Sequence, residues 1–274
     1  MPWGVKMTLI DTGFVETFRH DGVVALRGAV DGRWLGRLAE AIDANMASPG
    51  PYGKNHADEG GGVYFGDYVN WQRFAAFRDV ADAGPLGEIA GQLMGASRVQ
   101  LFHEHVLVKE PGTTSATPWH QDLPYYCLDG GQTVSIWVPL DHVSKAVCPH
   151  FLAGSHFDRS TYVPRRFKTL LPLEGDTSKY KPFPNIDEER DAGQLRSFDL
   201  EPGDVIAFDY HTLHNAPPNE TGARRRAVSL RFIGEDVRYV ARPHEVSPPF
   251  PEMGLELAMG DRLPEDWFPV VWQC

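Results

Sequence analysis

The spacing of apolar residues is helical in the first third of the chain. In residues 32–47, GRWLGRLAEAIDANMA, apolar side chains recur on one helix face, at Leu35, Leu38, Ala41, Ile42 and Met46. Asp31 stands just before this segment, where its side chain can cap the free backbone N–H groups of a helix. The pattern predicts an amphipathic helix over 32–47, and residues 72–95 read as two helices broken at Gly84-Pro85.

From about residue 97 the period changes to that of β-strands. Runs rich in β-branched and aromatic residues, separated by turn residues, are VQLFHEHVLVKEPG, QTVSIWVPLDHV, HFLAGSHF, SFDLEPGDVIAFDYHTLHNAPPN and RRRAVSLRFIGED. An earlier strand is predicted at GVVALRG, residues 22–28. Helices that lead and strands that follow predict a mainly β fold with flanking helices, an antiparallel jelly roll or barrel.

No repeat or linker divides the 274 residues, so we expect one domain over 1–274. Its predicted parts are an N-terminal helical flank with one or two strands (about 1–96), a β core (about 97–240) with an insert (157–197), and a C-terminal extension (241–274). Residues 48–62, SPGPYGKNHADEGGG, read as a Gly/Pro-rich loop.

The insert over 157–197 is long for a connection in a compact domain, and it concentrates positive charge. Its cations are Arg165, Arg166, Lys168, Lys179 and Lys181. Long inserts of this kind are solvated loops, or they are covers over a binding site. The two alternatives are therefore a plain loop and a substrate cover that meets an anionic group of a small molecule.

Charge and cysteine usage narrow the class of protein. A formal net charge of -11 disfavours binding to the phosphate backbone of nucleic acids. The apolar stretches are too short for a membrane span, and the N-terminus lacks the features of a signal peptide, so a cytoplasmic location is expected. The three cysteines form no CxxC pair and predict no disulfide framework.

The pattern His-x-Asp occurs three times, as His56/Asp58, His120/Asp122 and His156/Asp158. On a strand, residues i and i+2 share a face, so such a pair can offer one nitrogen and one oxygen ligand to a divalent metal. An open non-haem iron site needs two imidazoles and one carboxylate. Only the His120/Asp122 pair, in TPWHQDLPYY, stands in an aromatic strand setting with further candidate ligands downstream.

Two downstream segments supply the remaining groups of such a site. The segment FDYHTLHNAPPN offers His211 and His214 as a third ligand. The run Arg224-Arg225-Arg226 opens the next strand, and a guanidinium grips a carboxylate with two hydrogen bonds. The sequence therefore predicts an iron site from His120, Asp122 and one of these histidines, with an arginine for a dicarboxylate cosubstrate.

These segments together resemble the phytanoyl-CoA dioxygenase family of Fe(II)/2-oxoglutarate-dependent oxygenases. The resemblance rests on TPWHQDLPYY, VSIWVPLD, LAGSH, GDVIAFDYHTLHNAPPN and RRRAVSLRF, over about residues 97–234. It implies a double-stranded β-helix, a cupin-like jelly roll. It also implies Fe(II), 2-oxoglutarate and O2, with ascorbate as a supporting reductant and release of succinate and CO2.

The resemblance assigns the site residue by residue. His120, Asp122 and His214 match the metal ligands, with His211 as the rival of His214. Arg225 matches the arginine that holds the distal carboxylate of 2-oxoglutarate, with Arg224 and Arg226 as rivals. Trp137 and Ser229 are expected in the cosubstrate pocket. One departure is Ala216, which stands where the family often has a serine.

Asp122 favours hydroxylation of a small organic molecule, because halogenating relatives replace this carboxylate with a small residue. His56/Asp58 reads as a solvated loop, and His156 reads as part of a structural turn with Gly154 and Ser155. Two alternatives stay open: a cupin-type metal dioxygenase that does not use 2-oxoglutarate, and a non-catalytic jelly-roll binding protein.

Overall fold

A computed structural model describes residues 10–57, 62–186 and 191–274. Its helices are α1 (Thr12–Asp21), α2 (Gly32–Ala47), α3 (Ala75–Asp82) and α4 (Leu86–Met94). Its strands are β1 (Val23–Leu26), β2 (Lys54–Ala57), β3 (Val63–Tyr68), β4 (Arg98–Lys109), β5 (Thr117–His120), β6 (Leu128–Asp129), β7 (Thr133–Pro139), β8 (His150–Leu152), β9 (Leu195–Arg196), β10 (Val205–Phe208), β11 (His214–Ala216), β12 (Arg225–Ile233), β13 (Arg238–Tyr239) and β14 (Val270–Gln273).

The strands form two antiparallel sheets that face each other in a jelly-roll core. The large sheet has the order β1-β10-β7-β12-β4-β3-β2, with β14 also paired to β4. The small sheet has the order β5-β11-β8-β9, and β6 pairs with β13 apart from both. The predicted mainly β fold with flanking helices is confirmed, because most strands of the two sheets lie between β4 and β12 and the helices pack outside the sheets.

Alternation along the strands of the large sheet separates a helix-covered face from a site face. Val228, Leu230 and Phe232 of β12 are fully buried with residues of α2, α3 and α4 in the largest apolar cluster. The intervening residues of β12, including Arg225 and Ser229, project to the opposite face, between the two sheets. The period of two therefore places polar side chains inside the molecule.

The helices follow the sequence prediction closely. Helix α2 spans the predicted 32–47, and the Asp31 side chain accepts from the Trp34 N–H at 3.0 Å. Its face with Leu38, Ala41 and Ile42 is buried. Helices α3 and α4 are separated near Gly84-Pro85, as expected.

Two sequence-based expectations need correction outside the β core. The stretch 48–62 is not loop throughout, because Lys54–Ala57 pairs with β3 as an antiparallel strand. The N-terminal flank consequently holds three strands (β1, β2 and β3), not one or two. Exposed side chains in the first half of β2 and the Gly-rich sequence around it hid this strand from pattern reading.

The termini also contribute to the large sheet. Strand β1 pairs with β10, and β14 from the C-terminal extension pairs with β4. The insert ends in β9, which pairs with β8 in the small sheet. Within the described residues, no helix is both long and apolar enough to cross a membrane.

Candidate metal centre

The two predicted histidine ligands lie opposite each other in the small sheet. Strand β5 ends at His120 and β11 begins at His214, and these two residues are register partners. Their ring centroids are 4.1 Å apart. His214 also packs against Phe151 and Phe208, so an apolar wall holds its ring in place.

Asp122 reaches the same point by a route that differs from the prediction. It does not lie on a strand beside His120, because β5 ends at His120 and Asp122 has helical backbone angles before a short 3-10 turn. Its backbone N–H donates to the carbonyl of Tyr210 at 3.0 Å, and this bond ties the turn to the segment before His214. The turn, rather than strand alternation, brings the carboxylate to the histidines.

The three side chains form a compact and buried group. Asp122 Oδ1 lies 3.7 Å from His120 Nε2 and 3.8 Å from His214 Nε2. One ligand atom from each residue lies within 4.8 Å of the others, and this is the one group of three or more His, Cys, Asp or Glu with such spacing in the described part of the chain. The rival His211 is not in it.

Backbone carbonyls orient both imidazoles for metal binding. His120 Nδ1 lies 2.8 Å from the Pro118 carbonyl, and His214 Nδ1 lies 2.9 Å from the Thr212 carbonyl. A carbonyl can only accept, so Nδ1 carries the hydrogen and Nε2 keeps its lone pair. Each Nε2 lone pair is therefore available at the group shared with Asp122, as a metal ligand requires.

Electrostatics keep all three groups in the protonation state that a metal needs. Burial, followed by the neighbouring His214, lowers the pKa of His120 to about 3. Burial lowers the pKa of His214 as well. Burial opposes ionisation of Asp122, but Arg231 and the two histidines outweigh it, so its pKa lies well below the usual range. Two neutral imidazoles and one carboxylate result at neutral pH.

The arginine run has three different environments. Arg224 pairs with Glu110 at 2.8 Å on the surface, and Arg226 pairs with Asp141 at 2.9 Å. Arg225 is buried on the inner face, where its Nη1 donates to the Val147 carbonyl and burial lowers its pKa to about 10. No ion pair involves Arg225 within the described residues, so this buried cation is suited to an anionic ligand.

Two further residues predicted for the cosubstrate pocket lie buried on the inner face that carries Arg225. Ser229 and Trp137 are register partners on β12 and β7, and both are buried. The Ser229 hydroxyl is buried without a hydrogen-bond partner among the described residues. A buried hydroxyl of this kind costs free energy unless a ligand satisfies it. The buried guanidinium of Arg225 and the buried hydroxyl of Ser229 are both donors that suit a carboxylate ligand.

The remaining histidine motifs lie elsewhere. His211 Nδ1 lies 3.0 Å from Asp209 and 3.1 Å from Arg159, in a separate ionic cluster. His156 Nε2 lies 3.0 Å from the Arg19 carbonyl in a short turn after Gly154, in agreement with a structural role. His56 is exposed and stacks on Tyr64, and its partner Asp58 lies outside the described residues.

Part of the insert lies at the edge of the histidine group. Residues 164–173 form a short hairpin, called here the insert hairpin, closed by hydrogen bonds such as Leu173 N–H to the Pro164 carbonyl at 2.9 Å. The Tyr125 hydroxyl donates to the Arg165 carbonyl at 2.8 Å and accepts from the Arg165 N–H at 2.9 Å. The Phe167 ring lies 4.7 Å from the His120 ring.

Sequence reasoning missed Arg231 and Ser135, which both approach Asp122. Ser135 Oγ donates to Asp122 Oδ2 at 3.0 Å, and Arg231 Nη2 lies 3.6 Å from the same oxygen. The sequence did contain a signal for Arg231, because it lies six residues after Arg225 on the same strand and therefore on the same face. An arginine on the inner face of a buried strand is unusual enough to indicate a site. Lys109 and His103, the register partners of Arg225 and Arg231, are also buried on the inner face of β4.

Comparison with known proteins agrees with this geometry. Dioxygenase lolE1 of Epichloe uncinata is 28% identical over 156 residues, which is 56% of this chain and 53% of that protein. The chain spans about half the length of the curated relatives it matches.

Solved structures share the fold at low sequence identity. The non-heme alpha ketoglutarate dependent carbocyclase SnoK, from nogalamycin biosynthesis, superposes with a TM-score of 0.76 at 21% identity, over 97% of this chain and 98% of that one. The epimerase SnoN from the same biosynthesis gives 0.74 at 20% identity, over 96% of each chain. The family model described as phytanoyl-CoA dioxygenase matches residues 18–227, most of the chain. The chain therefore belongs to the phytanoyl-CoA dioxygenase family.

Proposed function

We propose that this protein is an Fe(II)/2-oxoglutarate-dependent dioxygenase that hydroxylates a small organic molecule. The observation that carries the proposal is the buried group of His120, Asp122 and His214 together with the buried Arg225, which has no ion pair in the described part of the chain. Two imidazoles and one carboxylate leave open positions on a metal, and this donor set is typical of non-haem Fe(II) oxygenases.

Each of these side chains has a defined task in the proposal. His120 and His214 would bind Fe(II) through Nε2, and Asp122 would bind it through Oδ1. Arg225 would hold the distal carboxylate of 2-oxoglutarate, with Trp137 as a pocket wall and Ser229 as a hydrogen-bond donor. When bound, Fe(II), 2-oxoglutarate and O2 supply the power to oxidise a C–H bond, with release of succinate and CO2.

Ser229 could also take the role of the family serine, whose position is occupied by Ala216 in this chain. Its hydroxyl, which has no hydrogen-bond partner among the residues that the structure describes, projects from β12 on the same face as Arg225, four residues along the strand. Because residues i and i+4 share a strand face, a ligand bound by Arg225 can extend towards this hydroxyl. We propose that Ser229 supplies the hydrogen bond that a serine at position 216 would otherwise provide.

Hydroxylation is the proposed outcome, although structural neighbours include an epimerase and a carbocyclase. Asp122 occupies the position that halogenating relatives leave open, and this disfavours halogenation. The fold and the donor set are common to these reactions, so the outcome depends on how the substrate is placed. Product analysis, rather than cosubstrate consumption, distinguishes them.

The substrate is proposed to approach along the insert hairpin. The tip of the insert hairpin carries Phe167, Leu170 and Leu171, whose exposed fractions are 44%, 48% and 62%. Phe167 contacts His120, so this apolar surface continues into the proposed metal centre. Among the insert cations, Lys181 pairs with Asp158 at 3.0 Å and Arg166 lies 3.9 Å from Glu174. Arg165 and Lys168 are the cations of this hairpin that would meet an anionic group of the substrate.

The test is succinate release by anaerobically purified protein supplied with Fe(II), 2-oxoglutarate, ascorbate and air. Slow decarboxylation of 2-oxoglutarate without substrate is expected from the wild-type protein and not from Asp122→Ala, which loses the only carboxylate of the group. The control is Asp129→Ala, on a surface strand outside the site. Equal succinate from wild type and Asp122→Ala would contradict the proposal. Iron binding without 2-oxoglutarate binding would favour a cupin-type dioxygenase.

A further inference from the structure

Arg231 is a buried cation that the proposed binding of metal and cosubstrate does not use. It lies on β12, where Ser135 of β7 and His103 of β4 are its register partners. Only 6% of the residue is exposed. Burial of a guanidinium costs free energy unless its N–H donors and its charge both find partners. The partners of Arg231 therefore indicate its role.

Two nitrogens of Arg231 donate hydrogen bonds, and the third lies at ion-pair distance from a carboxylate. Arg231 Nε donates to the Tyr126 hydroxyl at 2.8 Å, and Nη1 donates to the Ser229 carbonyl at 2.9 Å. Nη2 lies 3.6 Å from Asp122 Oδ2. The first two bonds fix the plane of the guanidinium, and the third group then faces the carboxylate from a set direction.

The two oxygens of Asp122 consequently have different surroundings. Oδ2 accepts from the Ser135 hydroxyl at 3.0 Å and faces Arg231. Oδ1 is nearly equidistant from the two histidine Nε2 atoms, at 3.7 and 3.8 Å. One oxygen is held by the large sheet, and the other is directed at the proposed metal position.

We propose that Arg231 and Ser135 are positioning residues that hold Asp122 so that it offers a single oxygen to the metal. The inference rests on the proposed function. A carboxylate free to rotate can chelate a metal with both oxygens, and this would occupy a position needed for 2-oxoglutarate or O2. Because Ser135 and Arg231 hold Oδ2 away from the metal, the coordination position for 2-oxoglutarate or O2 stays open.

The role differs from that of a neutralising counter-ion. A lysine at position 231 would supply charge but not three fixed donors, so it is expected to restore metal binding only in part. Arg226 is a matched comparison, because it lies on the same strand, projects to the opposite face and pairs with Asp141.

The experiment is titration of the metal-free protein with Co(II), followed by the visible absorption of the bound ion, which reports coordination geometry. Compared with wild type, Arg231→Met should bind Co(II) about 10-fold more weakly or worse, as is usual when a partner of a metal ligand is lost. Its Co(II) spectrum should change, Arg231→Lys should recover part of the affinity, and Arg226→Met should match wild type.

Ser135→Ala keeps the inference testable if Arg231→Met does not fold. This change removes one hydroxyl and no charge, and it should also weaken Co(II) binding and alter the spectrum. Wild-type affinity and spectrum in Ser135→Ala, or in a folded Arg231→Met, would overturn the positioning role alone. Failure of the wild-type protein to bind Co(II) would instead overturn the metal centre and the proposed function with it.

Discussion

At the scale of single residues, the three arginines at the start of β12 differ in the direction of their side chains, and this decides what each can bind. Arg224, Arg225 and Arg226 are adjacent and identical in type, but Arg224 and Arg226 pair with Glu110 and Asp141 towards the outside. Arg225 alone points between the sheets. Alternation along a strand therefore turns one of three equivalent arginines into a candidate carboxylate clamp.

This difference leads to a prediction for 2-oxoglutarate binding. Arg225→Met should weaken binding to the Co(II)-loaded protein by about 2 kcal/mol or more, roughly 30-fold in Kd, because a buried carboxylate would lose its partner. Anaerobic titration with 2-oxoglutarate measures the effect. Arg224→Met is the matched control and should leave the Kd unchanged. A larger effect at position 224 would show that the cosubstrate pocket has been assigned to the wrong face.

At the scale of elements, the insert hairpin is attached beside the candidate metal centre at Arg165, whose guanidinium also donates to the Trp119 carbonyl at 3.2 Å. Tyr125 binds both the N–H and the carbonyl of Arg165, so the hairpin is held at one residue. Leu170 in its turn has a φ of 58°, an unfavourable value for a branched side chain. The hairpin is therefore a local turn anchored at Arg165, where the Tyr125 hydroxyl makes two hydrogen bonds and the Trp119 carbonyl accepts a third.

Loss of the two Tyr125 hydrogen bonds should loosen the hairpin without disturbing the proposed metal ligands. Tyr125→Phe keeps the ring and removes both hydrogen bonds. We expect faster cleavage by trypsin at Arg165, Arg166 or Lys168, with Co(II) affinity close to that of wild type. Tyr180→Phe is the control, since Tyr180 lies in the same insert and packs against His244. Equal cleavage rates in wild type and Tyr125→Phe would rule out the anchoring role.

At the scale of the whole molecule, the two sheets bury several histidines in neutral form. Burial lowers the pKa of His105 and of His120 to about 3, and it lowers those of His103 and His214 too. In the unfolded chain these groups return towards the ordinary value of 6.5. The unfolded chain therefore binds protons between these pH values that the folded protein does not.

The metal-free protein should lose stability as the pH falls from 6.5 towards 3. Proton uptake by the unfolded chain lowers the free energy of unfolding across this window. Glu104 acts in the opposite direction from its ordinary value up to about pH 8, because burial raises its pKa to about 8. Urea unfolding in a chelator at several pH values measures the balance, and His105→Gln should show a shallower fall. A flat profile below pH 6.5 would contradict neutral burial.

The sequence alone predicted the features that depend on nearby residues. Helix α2 with its cap at Asp31, the strands β4, β7, β8, β10 and β12, and the His120/Asp122 and His214 segments were predicted from spacing and residue type. Local propensity and periodicity act within a few residues, so one chain is enough to read them.

Only the tertiary structure decided which distant groups meet. Pairing of β5 with β11 sets His120 opposite His214, 94 residues away by number, and the turn after β5 brings Asp122 to them. The same packing joins β1 and β14 to the large sheet and sets Arg231 against the far oxygen of Asp122. These contacts come from burial and sheet pairing across the whole chain, which a local pattern does not encode.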